Sequence, residues 1–212
     1  YAFALEQAGD SLAAMKMMDR GNTEYPRSPL VQFYRGVVFS RHLRYREALE
    51  AYRLALELAP DHFDALFGYG DALERLGQRD SAIAVFERIV EMRPEDAISA
   101  NYLGYLLVEE GIELERADSL ITFALGEEPD NASFLDSYGW LLYKRGEKEA
   151  ALERLLRAEQ LSLRPVDPVI LEHIGIVLEE IGQEERARSY YERAVEIDPT
   201  LEESARRLKE LK

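Results

Sequence analysis

The 212-residue chain has no cysteine, so no disulfide and no thiolate can contribute, and either redox compartment stays open. Its three histidines, His42, His62 and His173, fall in widely separated stretches. Without cysteine beside them, no metal site is expected. No run approaches the roughly 20 apolar residues of a membrane-spanning helix. No secretory signal is visible, although Tyr1 begins inside a helical pattern and upstream sequence is expected to precede it. No glycine-rich phosphate loop occurs. Basic residues are scarce: 26 Lys and Arg stand against 41 Asp and Glu, a net charge of −15, and only five of the 26 are Lys. Such an acidic surface repels phosphate backbones, which argues against a nucleic acid partner. His173 beside Glu172 has no accompanying nucleophile, so it is read as a binding contact rather than an acid–base pair. No catalytic residue, cofactor or metal is assigned.

What the chain has is a repeat. The stretch Asp61 to Pro94, 34 residues long, reads as two short amphipathic helices with a turn at Gly77. Leu66, Tyr69, Gly70 and Leu73 mark one face of the first, and Ala82, Phe86 and Ile89 one face of the second. Small residues at Gly70 and Ala82 allow close approach, so the Phe86 ring can fill the space beside them. The small residue of the first helix recurs as Ala2, Gly36, Gly70, Gly104, Gly139 and Gly175. The alanine of the second recurs as Ala14, Ala48, Ala82, Ala117, Ala151 and Ala187, in steps of 34, 34, 35, 34 and 36. A closing proline recurs as Pro26, Pro60, Pro94, Pro129 and Pro199, with Leu163 in its place in the fifth copy. Helices this short are marginal alone, so each pair must stack on a neighbour.

A period of 34, two helices, an aromatic four residues after the alanine and a terminal proline together resemble the tetratricopeptide repeat over essentially the whole chain. The resemblance implies an all-α, right-handed superhelical solenoid of about six repeats. The boundaries are 1–26 (truncated), 27–60, 61–94, 95–129, 130–165 and 166–199, with a capping helix over 200–212, all forming one domain. The fourth to sixth copies carry Leu103-Gly104-Tyr105-Leu106-Leu107, a turn one residue longer before Ala117, Leu135-Asp136-Ser137-Tyr138-Gly139-Trp140, and Asp167-Pro168 leading to His173-Ile174-Gly175. This combination is similar to bacterial envelope tetratricopeptide proteins, some of them outer-membrane lipoproteins, which act as scaffolds. In one case such a scaffold delivers substrates to a carboxy-terminal processing protease. The implied setting is a bacterial adaptor, periplasmic, outer-membrane-associated or cytoplasmic.

In such a solenoid the first helices line a concave face. Spacing assigns Ala100, Leu103, Gly104 and Leu107 to packing in the fourth copy and leaves Asn101, Tyr102, Tyr105, Val108 and Glu109 free. In the fifth copy it leaves Asp136, Ser137, Trp140, Tyr143 and Lys144 free. Phe33, Tyr34, Phe67, Asp71 and His173 join the same surface from other copies. Aromatic area with carboxylates and an asparagine fits a peptide or protein segment of neutral or basic character. Chaperone-binding members of the family use a basic, asparagine-rich clamp here. Phe33, Tyr34, Asp71 and Tyr102 stand at the equivalent faces, which disfavours that role. Two alternatives stay open: a regulatory or substrate-binding domain of a larger enzyme, and a homodimer formed through the apolar, uncapped N-terminal repeat.

Overall fold

The computed structural model describes residues 5, 9 and 11–211; the side chains of residues 11 and 12 are not among those described. Among the described residues there are twelve α-helices and no strand. They are α1 (Ser11–Glu24), α2 (Pro29–Arg41), α3 (Tyr45–Leu58), α4 (Phe63–Arg75), α5 (Arg79–Met92), α6 (Ala97–Glu110), α7 (Leu114–Glu127), α8 (Ala132–Lys144), α9 (Lys148–Leu161), α10 (Pro168–Glu180), α11 (Glu184–Ile197) and α12 (Glu202–Glu210). The chain divides into two compact units, Tyr1–Glu95 and Asp96–Lys212. The expected first helix of the first repeat, with Ala2 and the apolar face invoked for self-association, lies almost wholly outside the described residues.

Each first helix begins two residues after a proline, at a residue whose side chain accepts a hydrogen bond from a backbone N–H of the first turn. The caps are Ser28 (from Val31, 3.4 Å), His62 (Nδ1, from Ala65, 3.3 Å), Asp96 (from Ser99, 2.8 Å), Asn131 (from Ser133, 3.0 Å) and Asp167 (from Val169, 2.9 Å). Each satisfies a donor that the helix itself cannot.

Within each unit the paired helices interlock by size. Ala48, Ala82, Ala117, Ala151 and Ala187 are fully buried. A Cβ added at Gly70 would stand 2.7 Å from the Phe86 ring, and one at Gly175 2.5 Å from Tyr191. At Gly104 and Gly139 the same place is taken by Ile121 and Leu155, each at 2.7 Å. The Tyr52 ring lies against Gly36 of α2 and also Gly68 of α4, so one side chain fixes three helices. Burial pushes the Tyr52 hydroxyl up to about 12.

Most turns inside a pair use a glycine with positive φ: Gly77 (+72°), Gly111 (+68°), Gly146 (+84°) and Gly182 (+77°). In the second copy Leu43 occupies that place at φ +57°, with its side chain 68% exposed. The extra residue of the fourth copy is absorbed by Glu113, also left-handed at φ +46°. A left-handed conformation costs an L-residue with a Cβ about 1–2 kcal/mol. An exposed leucine recovers little of that by packing. Leu43→Gly is therefore expected to stabilise unit Tyr1–Glu95 by about 0.5–1 kcal/mol, after the greater chain entropy of glycine is subtracted. Urea unfolding followed by circular dichroism measures it; a lower midpoint would show that Leu43 packs more than its exposure indicates.

Candidate functional site

In unit Asp96–Lys212 the first helices α6, α8 and α10 lie successively alongside one another. On α8, Asp136, Trp140 and Tyr143 recur at helical spacing on one face. The Trp140 ring stacks on His173 of α10 with centroids 4.0 Å apart and planes at 9°. It also stacks on Tyr143, at 4.7 Å and 20°. Its Nε1–H donates to Glu109 Oε1 of α6 at 2.5 Å. His173 Nδ1 lies 2.9 Å from Asp136 Oδ1. Tyr105 of α6 reaches the same imidazole with centroids 6.5 Å apart, and Lys144 Nζ is 5.0 Å from the centre of the Trp140 ring. Glu109, Tyr105, Asp136, Trp140, Tyr143, Lys144 and His173 thus form one cluster spanning three helices.

Much of this cluster is interior. Trp140, Asp136 and Asn101 are 6%, 6% and 7% exposed, and His173 3%. Val108 and Ser137, assigned to the free stripes by spacing, are buried as well. The reason is geometric: a first helix has its partner on one side and other first helices on its flanks, so more than one stripe is covered. Tyr102, Tyr105 and Tyr143 keep part of their surface, and Lys144 is exposed. In the first unit, Phe33 is half-buried between the rings of Tyr34 (5.1 Å) and His62 (5.0 Å). Tyr34 is exposed. Phe67 is half-buried, edge-on to Phe86 at 5.2 Å, and half-buried Asp71 lies 3.8 Å from Arg75.

A buried carboxylate is stable only when paired and hydrogen-bonded. Asp136 meets that need through His173. Burial of the imidazole opposes its charge, but the Asp136 carboxylate, with Glu109 and Glu172 nearby, outweighs this and raises its proton affinity above the ordinary value. Burial and then Glu180 push the Tyr143 hydroxyl up. The Asn101 Oδ1 and Ser99 Oγ atoms are buried without a hydrogen-bond partner. An unsatisfied buried acceptor of this kind costs about 1–3 kcal/mol.

Sequence reasoning missed several pairings. Glu172 bears on His173 only through its charge and is held by another group. Its carboxylate accepts from Ser204 N (2.9 Å) and Ser204 Oγ (2.6 Å), capping the N-terminus of α12. Glu179 accepts from Tyr191 Oη and pairs with Arg207 at 2.9 Å. Asp136 and His173 were both named from spacing, but not as a pair; aligned on the glycines, they stand three and two residues before Gly139 and Gly175 in successive copies, which places them at neighbouring levels. Among the described residues no group of three or more His, Asp or Glu could hold a metal ion, and no helix is long and apolar enough to cross a membrane.

A family model for the tetratricopeptide repeat matches residues 33–97, 73–112 and 139–202. The TPR repeat-containing protein PA4667 of Pseudomonas aeruginosa is 28% identical over 177 residues, covering 81% of this chain and 29% of that protein. The type IV pilus assembly protein PilF of the same organism is 27% identical over 135 residues, covering 64% of this chain and 53% of that protein. The chain therefore spans about half or less of the length of these relatives. The crystal structure of PilW, a type IV pilus biogenesis factor, superposes with a TM-score of 0.74 over 97% of this chain and 94% of its own, at 17% identity, which shows a shared fold.

The His173–Asp136 pair gives a pH dependence with a fixed sign. A group whose folded proton affinity is raised adds stability that is fully present below its unfolded value, about 6.5, and is lost as pH rises through the folded value. As pH rises above about 6.5 the wild type is expected to lose stability faster than Asp136→Asn, in which the imidazole no longer faces a carboxylate. Thermal melts of both proteins across that range test this, and parallel curves would show that His173 carries no extra proton affinity.

Proposed function

The chain belongs to the tetratricopeptide repeat family, and from that premise we propose that it is a non-catalytic scaffold that binds a peptide or protein segment on the face of its first helices. The observation that carries this reading is the contrast in burial among the aromatic residues. Trp140 and His173 are buried and held by Glu109 and Asp136, while Tyr102, Tyr105 and Tyr143 of helices α6 and α8 retain accessible surface. Rings that are positioned before a ligand arrives lose little entropy on binding, and tyrosine offers both apolar area and a hydroxyl. Phe33, Tyr34, Phe67 and Asp71 would serve in the same way within the first unit. Asn101 adds a buried carbonyl oxygen in need of a donor, which a backbone N–H of a bound segment would supply if the segment displaces its cover.

The names of PilF and PilW favour a narrower setting, in which the bound segment belongs to an envelope assembly such as a type IV pilus apparatus. That setting matches the bacterial adaptor role implied by the fourth to sixth copies.

A random peptide display library selected on the purified chain, followed by fluorescence anisotropy of the selected peptides, tests the reading. Tyr102→Ala with Tyr143→Ala is expected to weaken binding about tenfold or more while the helical spectrum stays intact. Trp140→Ala is expected to lower the melting temperature as well, because Trp140 supports the cluster from within. Selected peptides that bind the tyrosine variants as well as the wild type would remove the first-helix face as the binding surface.

A further inference from the structure

The negative charge of the chain is unevenly placed. Residues 1–60 hold eight of the 26 basic and seven of the 41 acidic residues, so residues 61–212 hold 18 and 34. The second copy, residues 27–60, is a local exception with six arginines against three glutamates. The fourth, residues 95–129, holds one against nine.

Three of these arginines converge on one place. A shallow cavity of about 410 Å³ between α2 and α3 is lined by Arg35, Phe39, Arg44 and Arg46, with Ala51 at its floor and Glu47 and Glu50 at its rim. The guanidinium carbons of Arg44 and Arg35 lie 4.6 and 5.6 Å from the centre of the Phe39 ring. The rim carboxylates are already engaged: Arg44 pairs with Glu47 at 2.8 Å, and Arg53 with Glu50 at 2.6 Å. Arg35 Nη1 donates to Gln32 Oε1 (2.7 Å) and Asn22 Oδ1 (3.2 Å). Its Nε–H is shielded from solvent and finds no acceptor. A buried donor without an acceptor is unfavourable, and if the Arg35 guanidinium turns toward the cavity its Nε edge can receive a carboxylate with two parallel hydrogen bonds.

We propose that this arginine-lined cavity of the second repeat binds a short acidic segment of a partner protein, with a carboxylate received by Arg35 and Arg46 and an apolar side chain laid on Phe39. The ligand is a protein segment rather than a phosphate lattice for an electrostatic reason. Screening confines attraction to about 8 Å at physiological salt, so a short acidic segment feels the local arginines. A polyanionic surface such as a membrane or nucleic acid is opposed by the net charge of −15. This site is separate from the first-helix aromatic cluster and does not depend on it.

The test uses the full chain and a fluorescein-labelled peptide, Glu-Glu-Phe-Glu-Glu, with Gln-Gln-Phe-Gln-Gln as the neutral control. Saturable binding of the acidic peptide is expected, weakening about tenfold as NaCl rises from about 50 to about 300 mM. Arg35→Gln and the exposed-site variant Arg46→Glu should each weaken it about tenfold, while Arg154→Gln on α9 leaves it unchanged. Arg46→Glu keeps the test decisive should Arg35→Gln fail to fold. Equal binding of the neutral peptide, no binding at low salt, or indifference to Arg46→Glu overturns the proposal. So does salt-sensitive self-association that Arg46→Glu abolishes, since the occupant would then be a second copy of this chain.

Discussion

The contact of a small residue on one helix with a large one on its partner is the constraint on which the structure depends. Gly70 against Phe86, Gly139 against Leu155 and Gly175 against Tyr191 leave no room for a Cβ, and the alanines beside them are fully buried. Among the five described pairs the large side chain varies among tyrosine, phenylalanine, isoleucine and leucine, but the small one is glycine in each. Helix separation is therefore set by what is missing from the first helix, and the bulk supplied by the second can adapt. With the spacing fixed this way, other positions of the first helix are released from packing duty. Three residues before the glycine stand Phe33, Phe67, Asn101, Asp136 and Glu172, which are aromatic, amide and carboxylate side chains on one backbone geometry. Packing geometry and side-chain chemistry are thus set at different positions, which is how a repeat fold can serve many partners.

That division also explains how much was legible. The small-residue and alanine series depend on local volume, which periodicity reports directly, so the helix pairs and turns could be placed from the sequence. The caps at Ser28, Asp96, Asn131 and Asp167 were equally local, each two residues after a proline, and could have been read. His62 could not, because histidine is an uncommon cap. Spacing named candidate residues for the first-helix face but not their depths. Spacing analysis assumes one covered face per helix. The first helices here are covered on their flanks as well, so Trp140, Asp136 and Asn101 sink while Tyr102, Tyr105 and Tyr143 stay at the surface. The pairing of His173 with Asp136 joins residues 37 apart, a separation that no helical period encodes.

The depth of these groups changes what the acidic composition means. Spacing suggested that carboxylates at the first-helix face select a basic or neutral ligand. In the structure most of those carboxylates already have partners. Glu109 accepts from Trp140, Asp136 faces His173, Glu172 caps α12, and Glu179 serves Tyr191 and Arg207. A carboxylate committed to a buried donor cannot turn toward a ligand without leaving that donor unsatisfied, at a cost of about 1–3 kcal/mol. For the ligand proposed above, ring area and shape, rather than charge, would then be the means of discrimination on the first-helix face. Charge selection, if the chain exercises it, requires guanidinium or carboxylate groups whose hydrogen bonds are incomplete in the folded state. Arg35, with its enclosed and unpaired Nε–H, is such a group. The net charge of the chain therefore predicts its long-range repulsions, while the unfinished hydrogen bonds predict where a partner gains affinity by docking.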